Sequence, residues 1–170
     1  MNFKKLKSAG CILAGIMFFN CGHYSFTGAS IPNETNTFQV NYFQNNAILI
    51  EPGLDLDFTN ALTDLILNQT RLSLVKFNGD LVYEGEITDY RISPTTATSN
   101  NTAAQNRLTI TVNLRFYNTK DSNEDLEQRF TFFYDYAGSE QLIGGQKDAV
   151  HEAIFERLTQ DIFNATLAKW

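Results

Sequence analysis

Leu108, Ile110, Val112, Leu114 and Phe116 occupy five consecutive alternating positions, and Arg107, Thr109, Thr111, Asn113, Arg115 and Tyr117 take the positions between and beside them. Side chains alternate in direction along a strand, so this pattern demands a strand with one dry face and one wet face. A sheet of that kind is covered on one side only, the usual state of an antiparallel sheet. The remaining chain must supply its neighbours and a layer for the dry face.

Neighbours are legible on both sides. After a turn at 118–124, Leu126 to Tyr136 reads as a strand with Phe130, Phe132 and Tyr134 on one face and Arg129, Thr131 and Phe133 on the other. Its aromatic density exceeds what one core face needs, so Phe133 is a candidate for exposure on the open face, with core packing the ordinary use of such a ring. Upstream, Leu72 to Phe77 and Leu81 to Ile92 flank Asn78-Gly79, two residues that tolerate positive φ, and read as a hairpin. Gly85 marks a bulge or a close backbone approach in the second arm, and Pro94 is expected to end it. Phe38, Val40 and Tyr42 predict a half-buried strand from Thr37. From Thr95 to Gln105 a run of Thr, Ser, Asn and Ala predicts a mobile loop.

Two stretches change period. Phe58, Ala61, Leu62 and Leu65 predict a helix over 55–70, with Asp55 and Asp57 in a first turn whose dipole favours negative charge. Val150, Ile154, Leu158, Ile162 and Ala165, widened by Phe155 and Phe163, predict a second helix from Gln146 to about Ala168. Trp170 predicts a docked terminus. The expected fold class is α+β, a two-layer sandwich in which two helices cover one face of a mostly antiparallel four-stranded sheet.

The amino terminus has a different organisation. Lys4, Lys5 and Lys7 precede an apolar run from Cys11 to Phe19, which breaks at Asn20-Cys21-Gly22. A basic start followed by about 7–15 apolar residues is the layout of a secretory signal, too short for a stable membrane span. Phe18, Phe19 and Asn20 do not offer the small residues of an ordinary cleavage site, whereas a cysteine directly after the apolar run is the arrangement of a bacterial lipoprotein. Residues 1–20 are therefore expected to be a lipoprotein signal peptide, Cys21 the lipidated first residue of the mature chain, 21–36 a tether, and 37–170 a single domain. Cys11 stands before the apolar run, where cleavage would leave little hydrophobic signal. No acid follows Cys21 before Glu34, which is compatible with an anchor in the inner leaflet of the outer membrane, facing the periplasm.

Charge and residue types narrow the function. Three of the 13 basic residues and none of the 19 acids lie before Cys21, which leaves the mature chain at −9. That balance argues against nucleic acid, whose phosphates need a concentrated basic surface. His23 in the tether and His151 in the last helix are the only histidines, without the spacing of a metal site or a nucleophile beside them. His151 is expected on the polar helix face. Asp55, Asp57 and Asp64 belong to one amphipathic helix, where dipole and solubility account for them. No cofactor, metal or catalytic residue is expected.

A resemblance emerges from the order of several short runs: Cys21 to Ser30 (CGHYSFTGAS), Asn68 to Leu72 (NQTRL), Gly79-Asp80-Leu81 with Glu84-Gly85, Asn106 to Ile110 (NRLTI), Asp125 to Gln128 (DLEQ), and Asp161 to Asn164 (DIFN) with Trp170. Together they resemble the lipopolysaccharide-assembly lipoprotein LptE family across nearly all of the mature chain. The resemblance implies a non-enzymatic outer-membrane lipoprotein that sits in and plugs the LptD β-barrel, assists its assembly and binds lipopolysaccharide. No family motif for lipopolysaccharide contact aligns here. From the residues alone, Arg107 and Arg115 share one strand face with Arg129 near them, a small basic island that could meet lipid A phosphates, although arginines on an open sheet face are commonly solvated or paired with neighbouring acids. The alternative function is a lipid-anchored periplasmic binding or assembly module, pilotin-like and unrelated to lipopolysaccharide.

Overall fold

A computed structural model describes residues 31–95, 105–137 and 142–168. The leader, Cys21, the centre of the 95–105 loop and Trp170 lie outside the described residues.

Within them, six strands form one mixed sheet, and two helices cover one of its faces. The strands are β1 (Thr37–Val40), β2 (Gln44–Asn45), β3 (Ser73–Leu74), β4 (Leu81–Thr95), β5 (Gln105–Asn118) and β6 (Leu126–Ala137). The helices are α1 (Leu54–Gln69) and α2 (Gly144–Thr166). The α+β two-layer expectation holds in outline, and the four-stranded antiparallel sheet does not.

The order β3-β1-β4-β5-β6, with β2 also on β4, corrects it. Residues 72–77 and 81–92 are not the arms of a hairpin, because β1 lies between them, parallel to both. Phe38 stands opposite Leu74 on one side and Leu81 on the other, and Val75 N donates to Phe38 O at 2.9 Å. Asn78 adopts φ 57°, as a turn residue would, but Gly79 serves a different need. A Cβ there would lie 2.8 Å from Gln39 N, so glycine lets the turn pass against β1.

Gly85 is likewise a close-approach position. A Cβ on it would collide with the Asn113 carbonyl oxygen and lie 2.7 Å from Phe43 Cε1. The Phe43 ring therefore fills the space over Gly85, between β1 and β2, which run as one interrupted strand along β4. The β4 irregularity falls later, between Ile87 and Asp89. Strand β4 also continues through Pro94, paired with Asn106. Neither β1 nor β2 pairs with β4 beyond Ile87, so the imino nitrogen breaks no pairing on that side.

Helix α1 follows Gly53, φ 84°, and buries Leu54, Phe58, Leu62 and Ile66, one residue every four. Helix α2 buries Val150, Ile154, Leu158 and Ile162 with Phe155 and Phe163. Their stripes meet Ile110, Val112, Leu114 and Phe116 from β5 and Tyr83 and Ile87 from β4. Edge-on contacts of Phe58 with Phe43 (5.2 Å) and Phe155 (5.6 Å) join the sheet side to both helices. Each such ring contributes about 1.5–3 kcal/mol by leaving water.

Asp80 ties down the opposite end. Its carboxylate accepts the Asn36 and Thr37 amides at 2.9 and 3.1 Å and pairs with Lys120 at 3.0 Å, while its own amide donates to Thr37 Oγ1. The Asn36 amide is the largest influence holding this carboxyl well below the usual range. Residues at the end of the expected tether are thus held against the domain, with Thr35 fully buried and Arg71 donating to Pro32 O at 2.9 Å.

Candidate functional site

The uncovered sheet face carries the residues singled out from sequence. Register places Arg107, Thr109, Thr111, Asn113 and Arg115 of β5 beside Asp135, Phe133, Thr131, Arg129 and Glu127 of β6, in that order. On the other side of β5, Glu84, Glu86, Asp89 and Arg91 of β4 complete the face. Arg107, Arg115 and Arg129 are therefore brought onto one surface.

Two of the three are neutralised there. The Arg107 guanidinium donates to both Asp135 carboxylate oxygens, at 2.7 and 2.9 Å, and lies 3.7 Å above the Phe133 ring. This forked pairing raises the arginine pKa and lowers that of Asp135. Arg115 bonds to Glu84 at 3.2 Å and Glu86 at 3.0 Å. Arg129 is exposed, opposite Asn113, and has no ion pair among the described residues. With Arg91 paired to Asp89, four arginines meet five carboxylates on this face, which is balanced rather than basic.

Pairing with neighbouring acids is the ordinary state of such arginines, but the sequence does not name the acids. Only cross-strand register reveals them, because Glu84 and Asp135 are far from Arg115 and Arg107 along the chain. Thr109 and Thr111, on the nominally wet face, are buried; register sets Thr109 between Arg91 and Phe133, and Thr111 between Asp89 and Thr131. Thr111 and Thr131 share a hydroxyl hydrogen bond at 3.0 Å. Phe133 is 45% exposed on this face, so it is not used in core packing, and Arg107 covers one side of its ring.

A second feature lies on the helical layer. Between α1 and α2 a groove of about 490 Å³ has Ala61, Leu65 and Phe155 among its apolar lining and Asp57, Asp148, Glu152 and Glu156 at its rim. His151 also lines it, but is not on the polar face as expected. It is 7% exposed, and its Nε2 lies 3.1 Å from Tyr90 Oη. Burial holds this imidazole below its ordinary pKa, against the opposing pull of Glu51. The clue was present: His151 lies four residues before Phe155, on the edge of the buried stripe. Among the described residues no cluster of His, Cys, Asp and Glu could hold a metal ion, and no helix is long and apolar enough to cross a membrane.

The comparison with known families decides the relationship. The family described as LptE, lipopolysaccharide-assembly, matches residues 35–166. The chain belongs to the LptE family. No curated protein matches it at the sequence level. Among solved structures, a hypothetical protein of Chlamydia trachomatis superposes with a TM-score of 0.54 at 12% identity, covering 79% of this chain and 99% of that one. A minor lipoprotein of Acinetobacter baumannii is similar at 14% identity, TM-score 0.48, covering 82% and 98%. The rare lipoprotein B of Shewanella oneidensis gives 12% identity and a TM-score of 0.46, covering 75% and 89%. The likeness to the chlamydial protein supports the fold. LptE membership rests on the family match, which takes in every described strand and both helices.

Proposed function

We propose that this LptE-family chain is an outer-membrane lipoprotein, anchored through Cys21 in the inner leaflet and facing the periplasm and a barrel lumen. In this reading residues 1–20 are removed as a signal peptide and the start of the 21–36 segment tethers the domain. The domain assists assembly of an LptD β-barrel, plugs it, and contacts lipopolysaccharide. The observation that carries the reading is the family match over residues 35–166. The fold is compatible with it: one sheet face is covered by helices and the other presents a polar, charge-balanced surface to a neighbour.

For the lipopolysaccharide contact, Arg129 leads. It is the arginine of the three without an ion pair among the described residues, so a phosphate can reach it without displacing a carboxylate. Arg107 and Arg115 would join by exchanging Asp135, Glu84 or Glu86 for phosphate, which favours a multiply charged ligand such as lipid A over a single anion.

Depletion tests the proposal. Loss of the protein should leave the barrel misassembled and reduce lipopolysaccharide at the cell surface. Unchanged barrel assembly and surface lipopolysaccharide would overturn it, in favour of a lipid-anchored module serving another partner.

A further inference from the structure

Strand β6 is the last strand of the sheet, twelve residues long, and among the described residues no strand pairs with its outer edge; only the Ala137 carbonyl at its end is taken, by Gln146 Nε2 at 2.9 Å. Such an edge offers unmet amides and carbonyls to another strand, and proteins commonly blunt it with proline, lysine or a bulge. Strand β6 contains no proline or lysine, and its pairing with β5 runs without a register shift. Which groups point outward follows from the ladder. Thr119 N donates to Asp80 O, so odd-numbered residues of β5 bond toward β4 and even-numbered ones toward β6. Even-numbered β6 residues are therefore bonded inward, and 129, 131, 133 and 135 present their backbone groups to the outside.

We propose that this edge pairs with β6 of a second copy of the chain, antiparallel, about a twofold axis through Phe132. Paired residues must both point outward, so only odd can face odd and even face even. Two registers then overlap nearly the whole strand. An axis at Thr131 sets Glu127 against Asp135 of the second copy, two carboxylates opposite each other. An axis at Phe132 instead sets Arg129 against that Asp135, twice by symmetry, so that each Asp135, already held by Arg107 of its own chain, is shared with Arg129 of the other, which has no ion pair within its chain among the described residues. The charges choose the second register.

The other face of the strand agrees. The axis at Phe132 brings the two half-buried Phe132 rings together and sets Tyr134, 43% exposed, opposite Phe130 of the second copy. It also sets Gln128 of the second copy opposite Tyr136. A cleft of about 260 Å³ beside Tyr134 and Tyr136, with Ala149 of α2 in its wall, leaves room for that side chain. Pairing and phosphate contact would compete for Arg129. The inference otherwise stands apart from the barrel reading, because it concerns the protein before or without its barrel.

The test is cross-linking in the full-length, membrane-anchored chain, produced in cells depleted of the barrel. Directly opposed, non-hydrogen-bonded residues of an antiparallel pair have Cα atoms about 4.5 Å apart, within disulfide range. Under copper-phenanthroline oxidation, Phe132→Cys should give a disulfide-linked dimer, while Tyr134→Cys and the wild-type chain should not. Thr131→Cys co-expressed with Phe133→Cys tests the same register without touching the core face, and should also link. In the Phe132→Cys background, Arg129→Asp or Asp135→Arg should each lower the yield about fivefold. Co-expressing those two variants restores both ion pairs across the heterodimer and should recover the yield. The proposal is overturned if Tyr134→Cys links as well as Phe132→Cys, if neither cysteine arrangement of the proposed register links, or if the charge substitutions leave the yield unchanged.

Discussion

Gly85→Ala is the substitution for which the structure sets the magnitude most tightly. The added methyl would overlap the Asn113 carbonyl oxygen and sit 2.7 Å from Phe43 Cε1, where carbon atoms prefer about 3.5–4.0 Å. Neither neighbour is free to yield. Phe43 is fully buried and packs edge-on against Phe58, and Asn113 is paired with Glu86 in the β4–β5 ladder. Overpacking of this kind costs about 1–3 kcal/mol, and opening one ladder bond adds about 1–3 kcal/mol for the unsatisfied group. The lower entropy of the unfolded alanine chain returns only about 0.4–1 kcal/mol. A net loss of about 3 kcal/mol is expected, a large share of the roughly 5–15 kcal/mol that holds a domain together. In urea unfolding followed by circular dichroism, the midpoint should fall by about 1.5 M, taking a slope of about 2 kcal/mol/M. Gly145→Ala serves as control, since a Cβ there meets nothing within 4 Å and should leave the midpoint unchanged or slightly raised. A Gly85→Ala midpoint within about 0.3 M of wild type would refute the close-approach reasoning.

Two named contacts and the proposed lipid anchor lead to further expectations. Asp80→Asn keeps the shape but loses the charge that binds two backbone amides and Lys120, and should cost about 1–2 kcal/mol by thermal unfolding. Because the folded pKa of Asp80 is depressed, its stabilisation is full above the unfolded carboxyl pKa of about 4 and is lost as pH falls below it; a wild-type and variant difference independent of pH from 5 to 2 would contradict this. His151 is held neutral, so the unfolded chain takes up a proton before the folded one, and its contribution should decline as pH falls from about 6.5 toward its lower folded pKa. An NMR titration placing the His151 pKa at or above that of a free histidine would count against its burial beside Tyr90. Cys21→Ser should abolish palmitate labelling and release the chain from the membrane fraction, and a variant that still labels would move the anchor to Cys11.

What could be read from the sequence was local. The alternation from Leu108 to Phe116 and the four-residue stripes of both helices set secondary structure and burial directly, because each period maps onto one face. The insertion of β1 between β3 and β4 was hidden, since Asn78-Gly79 between two apolar runs carries the signature of a hairpin whether or not a third strand occupies the gap. The two glycines that permit the insertion, Gly79 and Gly85, hold the information, but a close approach names no partner until the partner is placed. The arginines were legible as a group on one face. Their neutralisation was not, because Glu84, Glu86 and Asp135 reach them only through cross-strand register. His151 was misplaced because a polar residue beside an apolar stripe reads as solvated until Tyr90, on a distant strand, supplies its bond.

The proposed place of this LptE-family domain against a β-barrel can be tested with a tagged full-length chain recovered from membranes in mild detergent. One large β-barrel protein should stay with it one-to-one through purification. A chain that purifies without any such barrel, from cells in which the barrel is present, would contradict that placement.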